Sequence, residues 1–182
     1  MARLKTIWPT WTVAQKWIEQ TQSFVSNPQH NFWYKDTTIY SYRESWPVGV
    51  MNSINPTAIY INSSPYGRTT NTHTSIALGA AKRYITNNST CYLFKIPLNL
   101  YKIPTNKENA IKILAEYYMP TLETFGRSAK LSRSHWPRRW KINRFLTQLN
   151  ETDEFIKFHN LDFKIALKQL SREEADLIKL TV

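Results

Sequence analysis

The chain has 182 residues, with 24 Lys and Arg against 13 Asp and Glu and a formal net charge of +11. That length can bury one real core, and the ordinary hydrophobic content with only 4 Gly excludes collagen-like and disordered compositions. A single cysteine, Cys91, excludes a disulfide or a multi-cysteine metal site, while the charge excludes an acidic DNA mimic and points to a polyanionic partner.

Taken in order, Thr10 or Thr12 can cap a first helix. Val13, Trp17, Thr21 and Phe24, with Ile18 and Val25 beside them, recur at helical steps until Pro28. Trp17 and Phe24 are expected in the core. Next come β-branched and aromatic residues between turn-forming breaks: Phe32 and Tyr34; Ile39, Tyr40 and Tyr42; Trp46, Val48 and Val50; Ile59 and Ile61. This reads as a meander of four short strands. Ser63 to Thr72 reads as a polar loop rich in hydroxyls, delivered by the sheet into a helix from His73 to Ile85. Cys91–Ile96 is nearly continuous apolar β sequence and is expected as the central strand.

Thr105 and Glu108 form a capping-box pattern ahead of an amphipathic run, Ala110, Ile113, Leu114, Tyr117 and Tyr118, which Pro120 kinks or ends. Gly126 to Pro137 reads as a basic loop, and Pro137 suits the first turn of a helix with Ile142, Phe145, Leu146 and Leu149 on its apolar side. Asp153 to Val182 carries two weaker helical patterns, the second opened by Ser171 and Glu174. No run is long enough for a signal-peptide core or a membrane span, so neither membrane association nor export is expected, and the location should be cytoplasmic. The expected fold is α+β: a four- to five-stranded mixed or antiparallel sheet packed by helices, with a core domain over residues 1–126 and a basic, helical C-terminal extension over 127–182.

The charge is concentrated. Residues 127–150 hold seven Lys and Arg and no carboxylate, whereas residues 151–182 hold five against seven. Arg127, Lys130, Arg133, His135, Trp136, Arg138, Arg139, Trp140, Lys141 and Arg144 form the candidate nucleic-acid-binding block. Uncompensated cations repel one another, a polyanion relieves them, and interleaved Trp and His can stack on bases. The plain alternative is a solvated face that keeps the chain soluble. RNA is favoured over DNA because aromatics and His accompany the cations. Lys82 and Arg83 either extend this surface or form an ordinary helix end.

Ile39-Tyr40-Ser41-Tyr42, Pro47, Tyr66, Thr69-Thr70 and His73 together resemble an uncharacterised domain family common in large bacteriophage genomes, over Trp11 to about Arg133. The family pattern has a Gly and then a His where this chain has Arg43 and Ser45. In size and character the chain is also similar to phage anti-CRISPR proteins that bind or truncate guide RNA. That resemblance implies a bacterial host and a CRISPR effector complex as partner.

Between Glu19 and Glu108 the only carboxylates are Asp36 and Glu44, which argues against a magnesium-dependent nuclease in this region. Neither a metal nor another cofactor is expected. Metal-free cleavage of RNA needs a base, an acid and a cation for the phosphorane. His73, Tyr42 or Tyr66, and Arg68 are the candidates. The expected activity is a metal-independent endoribonuclease. A non-enzymatic inhibitor of a protein–RNA complex and a DNA-binding regulator are the alternatives, and for His73 a capping or anion-binding role without chemistry is the competing reading.

Overall fold

In the computed structural model, which describes residues 5–52, 57–88, 90–130 and 135–161, the first structural decision is made at Gln20. The opening helix α1 (Thr10–Glu19) follows Pro9, whose fixed φ suits a helix entry, and no side chain caps it. Gln20 then takes a left-handed conformation with φ 51° and donates its backbone N–H to the Trp17 carbonyl. The helix therefore stops eight residues before Pro28. Phe24 and Val25, at helical spacing from Trp17, belong instead to a short strand, and Phe24 is exposed rather than core.

The N-terminal compact unit, Met1–Ile103, holds a sheet of six strands among the described residues, one or two more than expected. They are β1 (Phe24–Ser26), β2 (Phe32–Lys35), β3 (Thr38–Ser41), β4 (Pro47–Asn52), β5 (Thr57–Asn62) and β6 (Cys91–Ile96), in spatial order β1-β2-β3-β4-β5-β6. The first five form an antiparallel meander, and β6 runs parallel to β5. A parallel neighbour requires a crossover. Helix α2 (Arg68–Thr86) supplies it. This corrects the placement of β6: it is an edge strand of the described sheet, and the strand buried almost throughout is β5.

The extra strand β1 is held by Asn27, whose Oδ1 accepts from the N–H groups of both Asn31 and Phe32 and so closes the turn containing Pro28. Both helices cover one face of the sheet. Trp17 is fully buried there and donates through Nε1 to the Thr37 carbonyl at 2.8 Å. Its ring lies so near Gly49 that a Cβ at that position would stand 2.7 Å from Trp17 Cη2 and 3.1 Å from Ile61 Cδ1. Only glycine lets the backbone of β4 approach so closely. Val13, Phe32, Tyr34, Ile39, Val48, Ile59 and Ala77 complete this core.

The C-terminal unit, Pro104–Val182, begins with α3 (Lys107–Ile113), capped by Asn106 accepting from the Asn109 N–H rather than by Thr105 and Glu108. The division falls between Ile103 and Pro104, and helix α4 (Met119–Lys130) runs unbroken across the 126/127 boundary drawn from the charge. Pro120 is accommodated without ending the helical path. A π turn over Leu114–Tyr118 leads into α4, with Met119 donating to the Leu114 carbonyl. The wider turn lies directly before the residue that cannot donate.

Helix α5 (His135–Phe158) carries Pro137 in its first turn and continues past Asp153. Phe125 contacts Arg144, Gly126 lies under Phe145, and Tyr118 packs on Phe155. As the first helical path advances from Tyr118 to Phe125 and Gly126, its partner moves back from Phe155 to Arg144 and Phe145, so the two helical runs are antiparallel. Residues 126–130, read as loop, are helical. The patterns at Phe163–Leu170 and Ser171–Glu174 lie outside the described residues. No described helix is long and apolar enough to cross a membrane.

Candidate functional site

The hydroxyl-rich stretch is a loop only over residues 63–67, and from Arg68 it is helix. Helix α2 opens at Arg68 behind the extended Gly67, and the Asn71 side chain reaches back to accept from the Tyr66 N–H at 3.1 Å. Thr72, Thr74 and Ser75 donate to the carbonyls of Arg68, Thr70 and Asn71, each four residues earlier. Helical hydroxyls satisfy themselves in this way against their own backbone. The polar residues from Arg68 to Ser75 therefore belong to the first two turns of a helix rather than to a loop.

His73 consequently stands inside α2. Thr70, His73, Ala77, Ala80 and Ala81 form one buried stripe against the sheet. His73 is only 4% exposed. Its ring stacks on Phe32 with centroids 4.5 Å apart, and Nδ1 lies 2.8 Å from Ser41 Oγ, which in turn lies 3.2 Å from Thr70 Oγ1. The two hydroxyls and the imidazole form a continuous hydrogen-bonded chain that can run in either sense. Burial lowers the His73 pKa from its ordinary 6.5, so the ring is neutral at pH 7.

Tyr42 lies next to this cluster. It follows Ser41 at the end of β3, adopts a left-handed φ of 65°, and its half-exposed ring lies 6.1 Å from His73 at a 44° tilt. The other two catalytic candidates stand apart. Arg68 is exposed and five positions from His73, which on an α-helix places the side chains roughly 140° apart around the axis. Tyr66 is exposed and packs on Trp46 at 4.1 Å. The fold thus gathers His73 and Tyr42, adds Ser41 and Thr70, and directs Arg68 elsewhere. Ser41 and Thr70 were missed as partners of His73, although the upstream continuation of the Ala stripe through His73 and Thr70 could have revealed the buried face. Among the described residues no group of three or more His, Cys, Asp or Glu side chains could hold a metal ion.

The basic candidates within the described residues lie on α4 and α5. Arg127 pairs with Glu123 at 3.2 Å. Arg139, Trp140 and Arg144 are exposed, Trp140 at 61%, and Lys141 is half-buried. Arg144 lies 4.2 Å above Phe125 and 5.5 Å from the Trp140 ring. Among the described residues Arg139, Lys141 and Arg144 form no ion pair. Lys130 closes α4 and His135, Trp136 and Arg138 open α5, but their side chains, and all of Arg133, lie outside the described residues. Comparison with family models, curated proteins and solved structures returns no match.

Proposed function

We propose that this protein binds RNA through the α4–α5 hairpin and acts without cleaving it. The observation that carries this reading is the exposed Trp140, flanked by Arg139, Lys141 and Arg144, with none of these cations paired to a carboxylate among the described residues. An Arg held over aromatic rings is already ordered for contact with phosphate or base, and an exposed indole offers a stacking face to an unpaired base. Duplexes of either nucleic acid offer their base faces to no such indole, so the favoured partner is single-stranded, and RNA is the usual source of unpaired loops and ends. The resemblance to phage proteins makes the bacterial cytoplasm, and a protein–RNA complex of host defence such as a CRISPR effector, the setting.

The test is the salt dependence of binding to a single-stranded RNA, measured by fluorescence anisotropy. Arg139→Glu, Lys141→Glu and Arg144→Glu combined should lower the slope of log affinity against log salt by about 2, because single strands contribute about 0.7 per phosphate contact. A folded triple variant with an unchanged slope removes the hairpin from the account.

A second reading, metal-independent cleavage at His73, is favoured by one observation: Tyr42 and His73 are adjacent at the surface end of a buried hydrogen-bonded chain. A neutral imidazole can accept the 2′-hydroxyl proton. The geometry gives this reading less, since Arg68 stands roughly 140° around the helix axis from His73. RNA shortened in EDTA, with 2′,3′-cyclic phosphate ends and dependence on His73, would establish it over binding alone.

A further inference from the structure

In the N-terminal unit, α1 and α2 enclose a groove of about 570 Å³, within the roughly 300–1,000 Å³ typical of small-molecule sites. Its floor is apolar and set low by a small residue, through the buried Ile18 and Ala80. One wall is Trp11, which is 60% exposed. The other described tryptophans of this unit have ring or packing partners: Trp8 lies between Lys5 and Lys16, Trp17 is in the core, Trp33 stacks on Tyr40 and Trp46 on Tyr66. Trp11 has none of these contacts. Its face is open to a planar ligand.

The rim carries opposite charges that do not meet. Glu19 and Arg83 both line the groove, yet among the described residues neither forms an ion pair. Glu19 Oε1 is instead held by Gln15 Nε2 at 2.9 Å, which fixes the carboxylate at the rim. Lys82, exposed, adds a second cation beside Arg83. A ligand that suits this arrangement has a flat aromatic body, N–H donors along one edge and an anion attached to it.

We infer that the groove binds a guanine nucleotide, with its base on Trp11, its Watson–Crick edge on Glu19 and its phosphate at Arg83. Guanine presents two adjacent donors, N1–H and the 2-amino group, to a carboxylate that accepts at both oxygens. Adenine and cytosine place a ring-nitrogen acceptor beside their amino group, and uracil flanks its one N–H with two carbonyls. These edges leave the carboxylate facing lone pairs. The site shares no residue with the α4–α5 surface, and the inference goes beyond the binding proposed there.

Titration calorimetry of the full chain with the four nucleoside 5′-monophosphates tests it. Guanosine monophosphate should bind saturably and about tenfold or more tighter than the other three, the discrimination expected of hydrogen bonds to a charged group. Trp11→Ala, at an exposed position and checked for folding by circular dichroism, should weaken binding at least about fivefold. Glu19→Gln should erase the base preference, and Arg83→Ala should weaken the monophosphate while leaving guanosine itself unchanged. The Arg139, Lys141 and Arg144 reversals should leave guanosine monophosphate binding intact, so this assignment and the RNA-binding one fail separately. No saturable heat at millimolar nucleotide, equal affinity for the four bases, or a preference that survives Glu19→Gln would overturn it.

Discussion

The Thr70–Ser41–His73 cluster and the Arg139–Arg144 segment are both polar stretches with aromatic neighbours, and they differ in where their hydrogen-bonding capacity is spent. In the first, each polar group faces another inside the protein, with the imidazole sandwiched against Phe32. In the second, Arg139, Arg144 and the Trp140 indole stand in solvent beside a half-buried Lys141, without a carboxylate paired to them among the described residues. A buried polar group that is already bonded fastens two elements together, here α2 to β3. An exposed one that is not bonded remains available to a partner. The comparison separates structure from function more reliably than residue type does, since a histidine flanked by hydroxyls would ordinarily attract the catalytic reading.

The comparison breaks most visibly at His73. His73→Ala should cost about 2–4 kcal/mol in urea unfolding, through lost packing on Phe32 and a Ser41 hydroxyl deprived of its imidazole partner in a buried site. RNA affinity measured on the folded fraction should stay within about twofold of the parent, since the two sites share no residue and their effects are taken as additive. Loss of affinity from a folded His73→Ala protein would show that the buried cluster is functional after all.

The same core gives the next effect. Gly49→Ala forces a Cβ to within 2.7 Å of a fully buried indole whose Nε1 is tied to Thr37. Overpacking of this kind should cost about 1–3 kcal/mol. Pairing it with Trp17→Phe should restore part of that loss, because the smaller ring withdraws from β4. Two independently additive substitutions would show that the Gly49–Trp17 contact is not what fixes the helix-to-sheet distance.

On the exposed side the expectation is reversed. Trp140→Ala should leave stability within about 0.5 kcal/mol, as surface substitutions usually do, yet weaken single-stranded RNA binding at least about fivefold with the salt slope unchanged. A change in slope instead of affinity would mean that the indole positions the cations rather than stacking on bases.

These contrasts also explain what could be read from the residues. The four strands from Phe32 to Ile61 were legible because their β-branched and aromatic residues sit between turn-forming breaks, with clean alternation of burial in β2 and β3, and the α+β class follows from them. β1 was not, because Phe24 and Val25 sit seven and eight residues after Trp17, a spacing a helix would also satisfy. Only the left-handed Gln20 removes that ambiguity. β6 was recognised as a strand but misplaced: an apolar run signals burial without naming which neighbour provides it. The stretch from Arg68 to Thr72 looked like a loop because isolated Thr and Asn favour turns, whereas here Thr72, and Thr74 and Ser75 after it, find carbonyls four residues back, and Thr70 pairs with Ser41. The basic block was visible as charge. Which of its rings lies open, as Trp140 does, depends on how α4 packs on α5.

The smallest expected effect compares the histidines of the two units through pH. Burial lowers the pKa of His159 to about 4, where its ring packs against Phe155 and Phe158, and it lowers His73 in the same direction. The unfolded chain takes up a proton near the ordinary value of 6.5, before either folded ring does, so the unfolded state gains protons first as the solution is acidified. Stability contributed by neutral His159 is therefore complete above about pH 6.5, falls as pH drops through the interval from 6.5 to about 4, and levels off below it. His159 is only half-buried, so solvent screening keeps the effect below those of the core substitutions. Carboxylates titrate at the lower end of the same interval, and the difference between parent and His159→Phe isolates the imidazole while preserving an aromatic ring against Phe155. The midpoint of urea unfolding should decline less steeply with acidification in His159→Phe than in the parent, and His73→Phe should show the same flattening in the N-terminal unit. Parallel midpoint-versus-pH curves for parent and His159→Phe would mean that the folded ring ionises as freely as the unfolded one, and the aromatic surroundings of His159 would then have to be wetter than the packing indicates.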